Sequence, residues 1–310
     1  MKIGQFKKEG KSKLIVIQKN NVYQNSLDQS PKSTDLISSL KEETLTEAIN
    51  KLIKEKKLIK ISDTEKFLLK NNYLISKPVD AMEAWGAGVT YKTQAIVHDN
   101  YQQKKGKNDN LYQYAYNNQR VEIFFKGTSR TIVGPYEKLW LRSDSKLIMP
   151  EAELVLVIGS KGLPVAYTLG NDLTAWDIES ECPLYLSQAK IWESSGSVGP
   201  LIVPVEDFES PYSFEINCVV KRNNSNIINS VGNTSGLKRS IEELCYYMNL
   251  SNKTSPGTVL FTGTACTIDH KFSLKEGDIV EVSNPKIGIL SNDVHCHSKE
   301  KKNYMLRENK

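Results

Sequence analysis

From Val121 onward the chain is a succession of short runs rich in Val, Ile, Leu and Phe: "VEIFFKG", "ELVLVIG", "PVAYTLG", "GPLIVPV", "SFEINCVVK", "GTVLFTGTA" and "DIVEVSN". Gly, Pro, Asn and Asp separate them. Runs of this length between turn residues are strands, so the rhythm predicts an all-β or β-rich mixed fold. One clear helix interrupts it, "SGLKRSIEELCYYMN", whose apolar residues fall at helical spacing.

The part before Val121 has a different texture. Residues 1–75 are Lys-rich and hold a strand-like "KLIVIQ" and two helical stretches within "STDLISSLKEETLTEAINKLIKEK". Ser33 or Thr34 is placed to cap the first of these. Pro78 breaks the pattern, and "GAGVTY" reads as a tight Gly-rich turn entering a strand. Nine Asn and Gln crowd the stretch between His98 and Arg120, which reads as a polar, mobile excursion and a candidate lid. The expected division is a small N-terminal α/β domain (1–77), a main domain (78–291) and a basic C-terminal tail (292–310).

Composition removes several function classes. The formal net charge of +5 is spread out, with one local basic cluster in "SKEKKNYMLRENK". Nucleic-acid binding needs a denser basic patch interleaved with aromatics. No stretch approaches the roughly 18 apolar residues of a membrane span, and the start lacks the apolar core of a signal peptide. Five cysteines, odd in number and without CxxC spacing, argue against a disulfide framework and a cysteine zinc site. A cytosolic protein is expected. The histidines at 98, 270, 295 and 297 fall in loops or the tail and read as surface residues.

One stretch carries chemistry: "PEAELVLVIGSKGLPVAYTLGNDLTAWD". Side chains two apart on a strand share a face, so Glu151 and Glu153 project the same way. Asp172 ends the next run. If the two strands are neighbours, three carboxylates converge without His or Cys, a set suited to Mg²⁺, Mn²⁺ or Ca²⁺ and not to zinc. The alternative is three solvent-facing acids at strand ends.

Together "PEAELVLVIG", "AYTLGNDLTAWD", "GPLIVP" and "LFTGTA" resemble the fumarylacetoacetate hydrolase family, over about residues 80–290. The resemblance implies an α+β, β-rich fold, a mixed β-sheet roll or barrel with a small N-terminal domain. It implies a divalent metal, Mg²⁺ first, on Glu151, Glu153 and Asp172. It also implies a homodimer or homotetramer, while composition leaves no nucleic-acid or membrane partner expected. "VEIFFKGTS", "LRSDSKLIMPEAEL" and "ESECPLYLSQAKIW" are similar to the branch that dehydrates 2-keto-3-deoxy-D-arabinonate. In that branch an acid of the "EIFFK" strand and a lysine of the "LYLxQxK" segment are catalytic; the matching residues are Glu122 and Lys190.

The implied activity is that of a metal-dependent hydro-lyase converting a 2-keto-3-deoxy sugar acid to 2,5-dioxopentanoate through an enolate. Glu122 is then the acid/base and Lys190 the partner of the enolate or carboxylate. Gly88, Thr264 and Lys126 are expected to bind substrate. The bland alternatives are an ion pair between Glu122 and Lys126 and an ordinary turn at Thr264. Several positions depart from the family pattern. No close His and Glu pair follows "GAGVTY"; Lys92 replaces an acid, Trp176 the usual Arg, and Ala265 the usual Pro. Two rival functions stay open: hydrolysis of a C–C bond in an acylpyruvate or diketo sugar acid, and non-catalytic binding of a keto acid.

Overall fold

The computed structural model describes residues 1–8, 11–25, 32–64, 66–67, 74–107 and 109–296. The chain begins with β1 (Lys2–Lys8), β2 (Lys11–Gln18), β3 (Asn21–Asn25), α1 (Ser33–Ser39), α2 (Leu45–Lys54) and β4 (Leu58–Asp63). There follow β5 (Ile75–Ser76), β6 (Ala84–Gly88), α3 (Lys92–Lys104), α4 (Leu111–Asn117), β7 (Glu122–Gly127), β8 (Ile132–Val133), β9 (Leu139–Leu141) and β10 (Ile148–Met149). The site region comprises β11 (Ala152–Ile158), β12 (Pro164–Asp172), β13 (Thr174–Ala175), α5 (Trp176–Glu181), α6 (Leu186–Lys190) and β14 (Gly196–Pro204). Last come β15 (Glu215–Arg222), β16 (Ser225–Asn233), α7 (Ile241–Asn249), β17 (Val259–Thr264), β18 (Ile279–Asn284) and β19 (Gly288–Cys296).

Twelve of these strands form one sheet, whose main path runs β4-β3-β2-β1-β14-β12-β11-β17-β6-β7. A five-stranded sheet, β16-β15-β18-β19-β9, lies beside it, and β10 pairs with β13. The sheets are mixed: β17 runs parallel to β6 while β11 is antiparallel to both its neighbours. Every residue of β11 is buried, as expected of a central strand covered on both faces. Its alternation divides the side chains between two cores. Leu154, Leu156 and Ile158 pack in one; Val155 and Val157 pack in the other. Each such aliphatic side chain contributes roughly 1.5–3 kcal/mol on full burial.

The helix starts follow local chemistry. At α2, Thr44 Oγ1 accepts from Glu47 N–H at 3.1 Å and Glu47 Oε2 accepts from Thr44 N–H at 2.8 Å, a reciprocal cap. Ser240 caps α7 by accepting from Glu243 N–H at 3.0 Å. At α1 the cap falls on Lys32, not on Ser33 or Thr34. Ser33 instead donates to Pro78 O, and Thr34 Oγ1 accepts from Asp80 N–H at 3.0 Å. Both hydroxyls are taken by the Pro78 segment.

Three more sequence expectations are corrected. "GAGVTY" is not a turn entering a strand; Gly86 and Gly88 lie inside β6, and the chain leaves it through Val89 (φ 52°) into α3. The glycines are there for close packing. A Cβ on Gly86 would collide with the Phe124 ring, and one on Gly88 with the Glu122 carboxylate. The polar excursion is largely helical, consisting of α3 and α4. Its periodicity is hidden because α3 buries Gln94 and Asp99 along with Ala95. Finally, β19 continues through Cys296, so residues 292–296 of the expected tail are sheet. Residues 297–310, with His297, lie outside the described residues.

Candidate active site

The antiparallel register of β11 and β12 sets Ala152 opposite Asn171 and Glu153 opposite Gly170. The backbone bond from Asp172 N–H to Glu151 O, 2.9 Å, extends that ladder. The strands predicted to be neighbours therefore are. Carboxylate oxygens of Glu151, Glu153 and Asp172 all lie within 4.8 Å of one another. Glu153 and Asp172 are buried. Burial first, then the charges of Asp172 and Glu151, push Glu153 well above the ordinary carboxylate range. Three carboxylates this close are costly unless cations answer them. The donor set is all oxygen, so it fits a hard divalent cation.

Neighbouring groups hold each carboxylate in place. Gly263, at φ +90°, donates its N–H to Glu153 Oε2 at 2.6 Å. The Trp176 indole N–H donates to Glu151 Oε1 at 3.3 Å. Lys190, from the last turn of α6, places Nζ 3.0 Å from Glu151 Oε2, 3.3 Å from Asp172 Oδ2 and 2.7 Å from Thr174 Oγ1. Burial pulls its pKa down, but Asp172 and Glu151 outweigh burial and hold it well above the ordinary lysine value. The Phe124 ring centroid lies 5.4 Å from the same ammonium.

A cavity lies over these acids, lined by Gly88, Glu122, Glu151, Glu153, Asp172, Lys190 and Thr264 among others. Seven of the eight expected site residues thus meet in one place. Lys126 is the exception and does not line the cavity. It is fully buried beneath Asp172, with Nζ 2.6 Å from Oδ1. It also donates to Leu173 O, Ser195 O and Lys190 O. The expected alternative, an ion pair with Glu122, is replaced by this pair with Asp172. Strand β7 carries Glu122, Phe124 and Lys126 on one face, but successive positions reach different depths.

Glu122 stands across from Gly88 in the β6–β7 register. Burial, then the charge of Glu179, raises its pKa to about 7, against the pull of Lys190. Thr264 pairs with Glu153 across β17 and β11, and its hydroxyl donates to Ala152 O at 2.8 Å.

Three titratable lining residues escaped the sequence reading: His98, Tyr112 and Glu179. His98 is not a surface loop residue. It sits in α3 with its ring stacked on Tyr112 (centroids 4.5 Å apart) and against Trp176 (4.1 Å). Burial lowers its pKa. Tyr112 donates its hydroxyl to Glu179 Oε1 at 3.0 Å. Glu179 is one of several acids in "WDIESE", and no spacing rule separates it from Asp177 or Glu181.

The fumarylacetoacetate (FAA) hydrolase C-terminal family model matches residues 93–295. The chain belongs to that family. Within the fumarylacetoacetate hydrolase family it is 38% identical to the probable 2-keto-3-deoxyxylonate dehydratase of Haloferax volcanii, over 70% of this chain and 73% of that one. It is 37% identical to the 2-dehydro-3-deoxy-D-arabinonate dehydratase of Saccharolobus solfataricus, over 71% and 74% of the two chains. Among solved structures, 2-keto-3-deoxy-D-arabinonate dehydratase complexed with magnesium and 2,5-dioxopentanoate superposes with a TM-score of 0.79 at 30% identity. That match covers 96% of this chain and 100% of that one. The fold is thus the expected α+β, β-rich fold of the fumarylacetoacetate hydrolase family. Among the described residues no helix is long and apolar enough to cross a membrane.

Proposed function

We propose that the chain is a divalent-metal-dependent hydro-lyase that converts a 2-keto-3-deoxy pentonate to 2,5-dioxopentanoate. One observation carries the reading. A single cavity holds three clustered carboxylates, a buried lysine and a carboxyl raised to about 7, in a chain similar to two relatives named as dehydratases of this class. The same relatives favour elimination over C–C hydrolysis and over mere binding.

Glu151, Glu153 and Asp172 would hold Mg²⁺, the cation in the similar solved structure. A bound divalent cation polarises a keto group and acidifies the carbon beside it. Glu122 takes the proton from C3. A carboxyl held near neutrality both accepts and returns a proton at physiological pH. Gly88 leaves the space in which that carboxyl stands. Lys190 meets the negative oxygen that develops at C2. Thr264, its hydroxyl already donated to Ala152 O, shapes the wall where the substrate carboxylate lies. Lys126 supports Asp172 from below.

The proposal includes a homodimer or homotetramer, supported by exposed Ile227 and Val231 on the outer strand β16. It places the reaction in the cytosol, supported by the unbridged thiols of Cys182, Cys218, Cys245 and Cys266. The test is incubation of purified protein and Mg²⁺ with 2-keto-3-deoxy-D-arabinonate and, separately, acylpyruvates, read by mass spectrometry. Loss of water from the sugar acid is expected. Release of a 2-keto acid from the acylpyruvates alone would replace this reading with the hydrolase.

A further inference from the structure

The product demands more proton movement than a simple elimination. Removing a C3 proton and the C4 hydroxyl leaves a C3=C4 double bond with C5 still an alcohol. To reach 2,5-dioxopentanoate a proton must then leave C5 and another must return to C3. Donation is needed at the C4 oxygen, and proton transfer on either side of C4. A lone carboxyl would have to serve all three positions in turn.

The cavity holds a second carboxyl outside the metal cluster. Glu179 lines both the cavity over the acids and an adjoining cleft of ≈ 340 Å³, and so does Glu122. Its two oxygens are treated differently. Oε1 accepts from the Tyr112 hydroxyl at 3.0 Å, whereas Oε2 is buried and has no hydrogen-bond partner among the described residues. An unpartnered buried oxygen in a native site calls for a ligand or a proton. Its anchor is itself braced: Asp99, buried in α3, accepts from Tyr112 N–H at 3.0 Å and Gln113 N–H at 2.9 Å at the start of α4. One oxygen is fixed and the other is buried without a partner, in a side chain that lines the cavity.

We infer that Glu179 is a second catalytic carboxyl, which protonates the departing C4 hydroxyl and then takes a proton from C5. The inference rests on the dehydratase reading above. The balance closes. Glu122 begins ionised and takes the C3 proton, the C3–H electron pair passing to the C2 oxygen as an enolate; that pair then returns to form the C3=C4 bond as the C4–O bond breaks. Glu179 begins protonated and gives its proton to the leaving oxygen, which departs as water. Ionised Glu179 then takes a proton from C5, the C5–H pair forms C4=C5, and Glu122 returns its proton to C3. The released enol ketonises to the C5 aldehyde. Both carboxyls end as they began, with one proton between the two.

The test separates C3 exchange from elimination. In D₂O with Mg²⁺, 2-oxopentanoate reports proton exchange at C3 alone, since it has no hydroxyl to lose. Turnover of 2-keto-3-deoxy-D-arabinonate reports the full sequence. Glu179→Gln should keep C3 exchange within about twofold of wild type while dehydration falls about 10²–10⁴-fold, the usual contribution of a positioned acid/base. Where Glu179→Gln fails to fold by circular dichroism, Glu179→Asp carries the test. It retracts the carboxyl by one methylene and should show the same split. Dehydration within about tenfold of wild type, or exchange falling in step with dehydration, overturns the assignment. Wild type inert in both assays overturns the dehydratase reading and this inference with it.

Discussion

Lys126 Nζ lies 2.6 Å from Asp172 Oδ1, both side chains buried, while the other oxygen of Asp172 faces Lys190 at 3.3 Å. One aspartate thus stands between a lysine beneath the cavity and a lysine in its wall. Lys126→Met should leave a buried carboxylate with half its compensation and cost about 3–5 kcal/mol of stability. Chemical denaturation of the metal-free protein measures this. An unchanged midpoint with weakened substrate binding would return Lys126 to a direct role in the cavity.

Removing a ligand charge should remove the cation. In Glu151→Gln and Asp172→Asn, Mg²⁺ affinity measured by calorimetry should fall at least about tenfold, because hard-cation sites depend on carboxylate charge. Unchanged affinity in both variants would refute the metal assignment.

Glu122→Gln should lose deuterium wash-in at C3 by about 10²–10⁴-fold while still binding Mg²⁺, since Glu151, Glu153 and Asp172 are untouched. Lys190→Met should slow the same exchange, because the developing oxyanion loses its cationic partner. Nuclear magnetic resonance of 2-oxopentanoate in D₂O reads both. Retained exchange in the Glu122 variant removes that residue from the mechanism.

The raised pKa of Glu122 makes a signed prediction for stability. Folding lifts this carboxyl from 4.5 to about 7, so the folded state prefers its protonated form. Its contribution is fully present below about pH 4.5 and is lost as pH rises through about 7. The loss amounts to about 3 kcal/mol. Thermal denaturation without divalent cation should therefore show Glu122→Gln gaining on wild type between pH 5 and pH 8. A constant difference across that range contradicts the shift.

Light scattering at micromolar concentration should give at least twice the 35.0 kDa of one chain. A mass of one chain would remove the oligomer from the proposal.

The β-rich fold and the cluster of Glu151, Glu153 and Asp172 were legible in the sequence for a local reason. Strand alternation puts Glu151 and Glu153 on one face, and the two apolar runs that carry the triad are consecutive in the chain. Glu122 and Lys190 were legible only through resemblance, because no spacing rule joins positions that meet through separate elements. The sequence misled where a helix buries polar groups. α3 hides Gln94 and Asp99, so its periodicity vanished and His98 read as a loop residue. Nor does the pattern of β7 say that Lys126 ends beneath Asp172 while Glu122 opens to the cavity. Depth along a strand depends on what packs over it, here α6 and the start of β14 over Lys126 and the missing side chain of Gly88 over Glu122. Glu179 is the extreme case. One acid among three in a short helix, it is singled out by Tyr112, which Asp99 holds at the start of another helix. Local chemistry determined the elements and the three clustered carboxylates; long-range packing decided which charged groups face the cavity and which support it from below.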